Sequence, residues 1–221
     1  MTAAPQTAAP QTAAPRTVPE IVLAAEATTT IVIGSGFSGL AVAAELNRQG
    51  IKAIVVDCPS HAHGPAAPAT GGISLDAMDE RTEILRLLEH YAHRHELDIR
   101  HATRALNVKH TPAANPAQHQ WEVQTATGTL TAHSIVFTRG ALNQLRRMLH
   151  SAGISTGQGL GVAMQALGLY LVGVGELVTP TTSDILHQAK RAGQSISMRV
   201  ASRRAAATAA TAATAATAAR A

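Results

Sequence analysis

Gly34, Gly36 and Gly39 fall at the spacing Gly-x-Gly-x-x-Gly, with Ser35, Phe37 and Ser38 between them. Ile31-Val32-Ile33 stands directly before them. Leu40 opens an amphipathic stretch after them, with Ala43, Ala44 and Leu46 at helical spacing and Gly50 as a stop. A second apolar run, Ile54-Val55-Val56, ends at Asp57. The order is strand, turn, helix, strand, acid, and each part has a physical task. Gly34 lets the chain turn tightly off the strand. Gly36 has no Cβ, so the backbone can approach a diphosphate, and Gly39 lets the helix pack closely on the sheet. The helix N-terminus offers unpaired N–H groups and the positive end of its dipole to phosphate oxygens. The Asp57 carboxylate can accept hydrogen bonds from both ribose hydroxyls. The pattern predicts a site for the ADP half of a dinucleotide.

Other reactive side chains form no comparable set. His90, His93 and His95, with His61 and His63, are residues of metal-ligand type. His90 and His93 share a helix face, but His95 points elsewhere and no carboxylate or cysteine set completes a site. A solvated face and no metal are expected. Cys58 is the sole cysteine. It excludes an internal disulfide, reads as a packing thiol near the ribose, and suits a reducing, cytoplasmic setting. Gly-x-Ser-x-Gly is absent, so no nucleophilic serine is assigned. His187, near the start of the last helix, reads as an exposed residue. No catalytic residue is assigned.

The elements that must position the glycine turn occupy the middle of the chain. Residues 1–28 form an Ala/Thr/Pro-rich arm and residues 201–221 an Ala/Thr tail, both low in large apolar side chains and unable to offset their ordering entropy. The tail can extend a helix, but nothing in its composition anchors it. Residues 29–200 are the expected domain. Aromatic residues are 2% of the chain, so its core must be built from Ala, Val, Leu and Ile, which suits a parallel sheet covered by Ala-rich helices. Pro59 to Gly72 reads as loop. Asp79 to His95 has helical periodicity with Ile84, Leu87, Leu88 and Tyr91 on one face. Ile99 reads as a short strand. Three extended runs follow: Ala105 to Lys109, which contains Val108, then Trp121 to Thr125, then Thr129 to Ala132 beyond a turn at Thr127-Gly128. Ile135-Val136-Phe137 is purely apolar, as a buried parallel strand requires, and Thr138 to Gly140 closes it. Gly159 to Gly175 carries no charge but is short for a membrane span and reads as a buried strand with flanking loops. Thr181 to Asp184, including Thr182, supplies N-caps for a final helix through Ile185, Leu186, Ala189, Ala192 and Ile196. The net charge of +4 lies partly in the tail, and no basic, aromatic-lined body suggests a nucleic-acid role. No membrane association is expected.

In this order, the chain resembles the FAD-binding domain of the flavin-containing monooxygenase and Baeyer–Villiger monooxygenase group. The carrying residues are Val32 to Ala41, Leu88 to Arg100, Trp121-Glu122-Val123 with Leu130-Thr131-Ala132, Ile135-Val136-Phe137, and Gly168 to Gly173. The resemblance implies an α/β fold: a doubly wound parallel sheet of Rossmann type with a three-stranded β-meander. It implies FAD as cofactor, with Gly34, Ser35, Gly36, Phe37, Ser38, Gly39, Asp57, Val108, Thr138, Gly140, Gly173 and Thr182 around it. His187 could then approach the flavin ring. The departures are specific. Asp57 replaces the family's usual Glu, and Thr138-Arg139-Gly140 replaces Ala-Thr-Gly, with Arg139 expected to reach solvent or a phosphate. No second glycine fingerprint follows Gly140, and residues 141–167 are too few for the family's NADPH-binding domain. The resemblance thus implies a shortened FAD-dependent oxidoreductase with flavin as redox centre. A reductase partner, or NADPH or NADH from outside, would supply the electrons for a small-molecule substrate. Two alternatives stay open: a non-catalytic FAD- or ADP-binding remnant acting through a partner, and a single-Rossmann NAD(P)-dependent reductase. A homo-oligomer could cover the apolar surface that a missing domain exposes.

Overall fold

The computed structural model describes residues 25–58, 75–111, 120–151, 153–154, 159–175 and 180–218. The described residues form six strands: β1 (Glu26–Ile33), β2 (Ala53–Asp57), β3 (Asp98–His110), β4 (Trp121–Thr125), β5 (Gly128–Thr138) and β6 (Leu169–Val172). Five α-helices accompany them: α1 (Phe37–Arg48), α2 (Leu75–Arg94), α3 (Leu142–Ser151), α4 (Leu160–Leu167) and α5 (Thr182–Ala218), with a 3-10 turn at Arg139–Ala141. β6, β5, β1, β2 and the start of β3 run parallel in that spatial order. β4 pairs antiparallel with the far ends of β3 and β5. The fold is therefore doubly wound α/β, with the expected meander built from β3, β4 and β5.

The central strands are the β-branched runs, and burial on both faces explains their lack of alternation. Ile31, Val32, Ile33, Val56, Ile135, Val136 and Phe137 are all fully buried. On one face they meet α1, α2 and α5, where Val32, Val42, Leu46, Ile185 and Ile196 pack together. On the other they meet β4, α3 and α4 through Trp121, Leu145, Met148 and Met164. Each fully buried Ile or Leu stabilises by about 1.5–3 kcal/mol relative to exposure. α1 can lie tightly between the sheet and α5 because Ala41 and Ala43 are small and buried. It stops at Gly50, whose φ of +70° suits a glycine after a helix; the Ile51 N–H returns to the Leu46 carbonyl at 2.9 Å. The C-terminus of α4 is closed by Gly168, by the Trp121 indole N–H donating to the Leu167 carbonyl at 2.9 Å, and by Arg199 donating to the Ala166 carbonyl at 2.8 Å. A cation there also complements the helix dipole.

Several expected boundaries change. Ile99 and Ala105 to Lys109 belong to one strand, β3, which leaves β2 and passes to β4 across a register shift. Thr129 to Ala132 and Ile135 to Phe137 likewise form one strand, β5. β1 holds one edge of it from Leu130 to Phe137, while β4 and then β6 share the other edge. A strand held along one whole edge cannot break between its two partners. In Gly159 to Gly175 the expected strand is Leu169 to Val172, but the flank before it is not loop: Leu160 to Leu167 is helix α4, bounded by Gly159 and Gly168 in left-handed conformations. Ala, Met, Gln and Leu are good helix formers, and an apolar run this short does not by itself declare a helix. On α2, Leu87 faces solvent at 64% exposure, while Leu85 packs inward beside Ile84 and Leu88. α5 continues into the Ala/Thr repeat, where the Thr208 and Thr211 hydroxyls donate to the Arg204 and Ala207 carbonyls. Among the described residues no helix is long and apolar enough to cross a membrane. Pro59 to Gly72 and most of the N-terminal arm lie outside the described residues.

Candidate functional site

β1 delivers the glycine turn to the carboxyl end of the sheet, beside the ends of β2 and β5. Gly34 has φ of +117°, a region that L side chains rarely adopt, and its N–H donates to the Val56 carbonyl at 2.7 Å. A Cβ on Gly34 would strike Thr138, whose own hydroxyl donates to the Ile33 carbonyl at 2.9 Å. A Cβ on Gly39 would strike the Gly34 carbonyl oxygen, so this glycine sets how closely α1 approaches the turn. Gly36 differs from both: a Cβ there meets no atom of the described residues within 4 Å. Its freedom from side-chain bulk therefore serves the space outside the protein rather than packing. Gly36 is the N-cap of α1; among the described residues no side chain caps the helix, and its first turn carries no acid. The first N–H groups of α1 remain available to an external acceptor.

The space beside the turn is a cleft of about 260 Å³ lined by Gly34 to Gly39, Cys58, Arg81, Thr138, Arg139 and Gly140. Most of the sequence-derived site thus comes together. Asp57 closes β2 half-buried, and its carboxylate accepts a hydrogen bond from the Ser35 hydroxyl. That bond fixes the acid beside the turn and leaves its remaining lone pairs for a ligand. Arg139 is exposed, as expected of a charged residue in that position. Cys58 abuts Gly140, where a Cβ would crowd its sulfur. Burial pushes the Cys58 thiol above its usual value, and the neighbouring Asp57 charge adds to this, opposed by Arg104. The thiol is therefore protonated at neutral pH, and its contribution to stability is lost as pH rises from the ordinary thiol range through the raised folded value. Alkylation of Cys58 by iodoacetamide should be slower than that of a free thiol at about pH 7.5 and accelerate toward about pH 9.5, slowing again with a nucleotide in the cleft. Equal rates for Cys58 and a cysteine peptide would refute this.

Three expected members sit elsewhere. Val108 is buried in the core opposite Val123 and does not line the cleft. Gly173, at φ +79°, ends β6 against Ser38, but its N–H already donates to the Gln188 side chain at 2.8 Å. Gln188 in turn donates to the Val174 carbonyl at 3.2 Å. Thr182 is the buried first residue of α5; the capping is done by Thr181, whose hydroxyl oxygen accepts from the Asp184 N–H at 3.2 Å while the Thr181 N–H donates back to the Asp184 carboxylate at 2.9 Å. His187, His90 and His93 are exposed, and His95 stacks on Tyr91 with centroids 4.1 Å apart. Two residues were not anticipated. Arg81 of α2 lies over the Phe37 ring at 5.0 Å and forms one wall of the cleft, and Gln188 occupies the Gly173 amide. The helical period alone does not say which face of α2 meets the turn. The nearest signal for Gln188 was its place within two turns of the final helix start.

A doubly wound sheet with an uncapped glycine turn at its carboxyl end and an acid closing the next strand defines a dinucleotide-binding α/β protein. Residues 29–166 match the family model described as FAD binding domain, and the chain belongs to this family. No curated protein matches it. Among solved structures, THI4 from Thermovibrio ammonificans is 16% identical, covers 79% of this chain and 90% of its own, and superposes with a TM-score of 0.52, which shows the shared fold. The flavin-containing monooxygenase from Stenotrophomonas maltophilia is 21% identical over 51% of this chain and 38% of its own, with a TM-score of 0.34. The bacillithiol disulfide reductase YpdA from Staphylococcus aureus is 18% identical over 51% and 38%, with a TM-score of 0.35. The chain thus spans well under half the length of these two enzymes.

Proposed function

We propose that this chain is an FAD-dependent oxidoreductase, a shortened relative of the flavin monooxygenases, whose nucleotide-binding unit covers residues 29–200 between the arm and the tail. The observation that carries the reading is the open cradle at Gly36, where a Cβ would fill space that no atom of the described residues uses, inside a chain of the FAD-binding family. The residues present fit the diphosphate and ribose of FAD. Gly34 to Gly39 and the N-terminus of α1 would hold the diphosphate, Asp57 with Ser35 the ribose, and Thr138 and Gly140 the floor between them. Gly173 and Thr182 lie at the β6–α5 side, where the flavin half would extend. When bound, FAD supplies reversible two-electron transfer. Ser35 keeps the Asp57 carboxylate oriented, and the buried strands behind the turn exclude water from one side of the cleft. Electrons would come from a reductase partner, or from NADPH or NADH in a cytoplasmic setting, toward a small-molecule substrate.

Gln188 favours a second reading. It consumes the Gly173 amide, a donor otherwise open to the flavin side. A chain that grips the ADP half and leaves the flavin end weakly held would act as a binding module through a partner. The visible absorption spectrum of the dialysed protein, with the released ligand identified by mass, tests the first reading. Flavin bands near one per chain are expected, and a colourless protein that takes up no added FAD would overturn it. NAD(P)H oxidation, alone and with a reductase, then separates the two readings, because turnover above the buffer rate excludes a purely binding role.

A further inference from the structure

We propose that Arg81 and Arg139 form a two-walled clamp for the diphosphate, so that the cleft recognises dinucleotides and free nucleoside diphosphates chiefly by charge. The inference rests on the FAD reading and adds residues to it. Among the described residues the lining of the cleft holds these two guanidiniums and no carboxylate. Its other ionisable member, Cys58, stays a neutral thiol because it is half-buried beside Gly140. The formal charge of the lining is therefore positive, and it complements the two negative charges of a bridging diphosphate.

The two arginines reach the cleft from different elements. Arg139 follows Thr138 at the end of β5, in the turn that also carries Gly140. Its side chain is exposed, so its charge keeps its hydration until a ligand arrives. Arg81 comes from α2 and is held over the Phe37 ring at 5.0 Å. Phe37 is itself the first residue of α1 and is buried. The stack therefore places a cation beside the helix terminus that offers the free N–H groups, and holding it there lowers the ordering cost of binding. Backbone donors alone are typical of a glycine turn. Here they lie between two side chains able to make paired, charge-assisted hydrogen bonds to phosphate oxygens. Asp57 lies just outside the clamp and would disfavour a phosphate on the ribose 2′ position.

Calorimetric titration of the full chain with FAD, ADP and adenosine tests this, using wild type, Arg81→Ala, Arg81→Lys, Arg139→Ala and Arg139→Lys. Each alanine variant should weaken FAD and ADP about tenfold or more and leave adenosine unchanged, with partial recovery in the lysine variants. Between about 0.05 M and about 0.5 M salt, wild-type affinity for ADP should fall more steeply than that of either alanine variant. Arg139 is exposed, so its variants retain the fold, and thermal melts verify this for Arg81. Alanine variants that bind ADP within about twofold of wild type, with the same salt dependence, would overturn the clamp and leave the FAD reading standing. A wild-type chain that binds neither FAD nor ADP would overturn the FAD reading, and the clamp with it.

Discussion

Gly36→Asp should give a protein that is at least as stable as wild type and cannot hold FAD. The backbone at Gly36 has φ −76° and ψ −169°, the extended conformation of an N-cap, which aspartate adopts without strain. A Cβ there meets no atom of the described residues within 4 Å. The new carboxylate can accept from the first N–H groups of α1 and sits at the positive end of its dipole. Replacing a glycine N-cap in this way stabilises by about a few tenths of a kcal/mol. The same carboxylate takes the donors and the space that the diphosphate needs, and it repels the ligand. FAD affinity should fall by about a hundredfold or more, equivalent to about 2.7 kcal/mol. A thermal melt beside an FAD titration checks both halves. A destabilised variant would show that Gly36 serves packing, and unchanged FAD affinity would place the nucleotide elsewhere.

Gly39→Val should do the reverse and damage the fold itself. The Cβ would overlap the Gly34 carbonyl oxygen, a backbone atom that cannot swing aside as a side chain can. Gly34 is held in turn by its bond to Val56 and by Thr138 on its other side. Relief requires α1 to lift off β1, which opens the packing of Leu40 and Val42. We expect a loss of about 3 kcal/mol or more, enough to leave a chain of this size largely unfolded or insoluble. Chemical denaturation of the variant without ligand measures it. A midpoint equal to that of wild type would mean that the close approach of helix and turn does not matter to stability.

The sequence pattern already separates these two glycines by position, Gly36 toward a diphosphate and Gly39 toward helix packing, and their surroundings differ in the same sense. The pattern established that a strand, a tight turn, a helix and an acid follow one another, because the β-branched runs, the glycine spacing and the position of Asp57 are local properties. It also implied the layered α/β fold, since uncharged apolar runs such as Ile135-Val136-Phe137 must be buried on both faces. That Thr138 of β5 packs against Gly34, and so fixes the other side of the turn, is a contact between residues far apart in the chain and is not written in the pattern. The continuity of β3 and β5 was hidden for the same reason: each changes partner midway, and a strand's partners are not written in its own residues. In the sequence α4 reads as a loop flanking the strand, because a short apolar run between glycines does not declare a helix until Gly159 and Gly168 take up their left-handed conformations. Arg81 and Gln188 were invisible as site residues because their roles depend on how α2 and α5 are rotated about their axes. Local chemistry determined the turn and its acid, while packing over long sequence separations decided which charges and amides surround it.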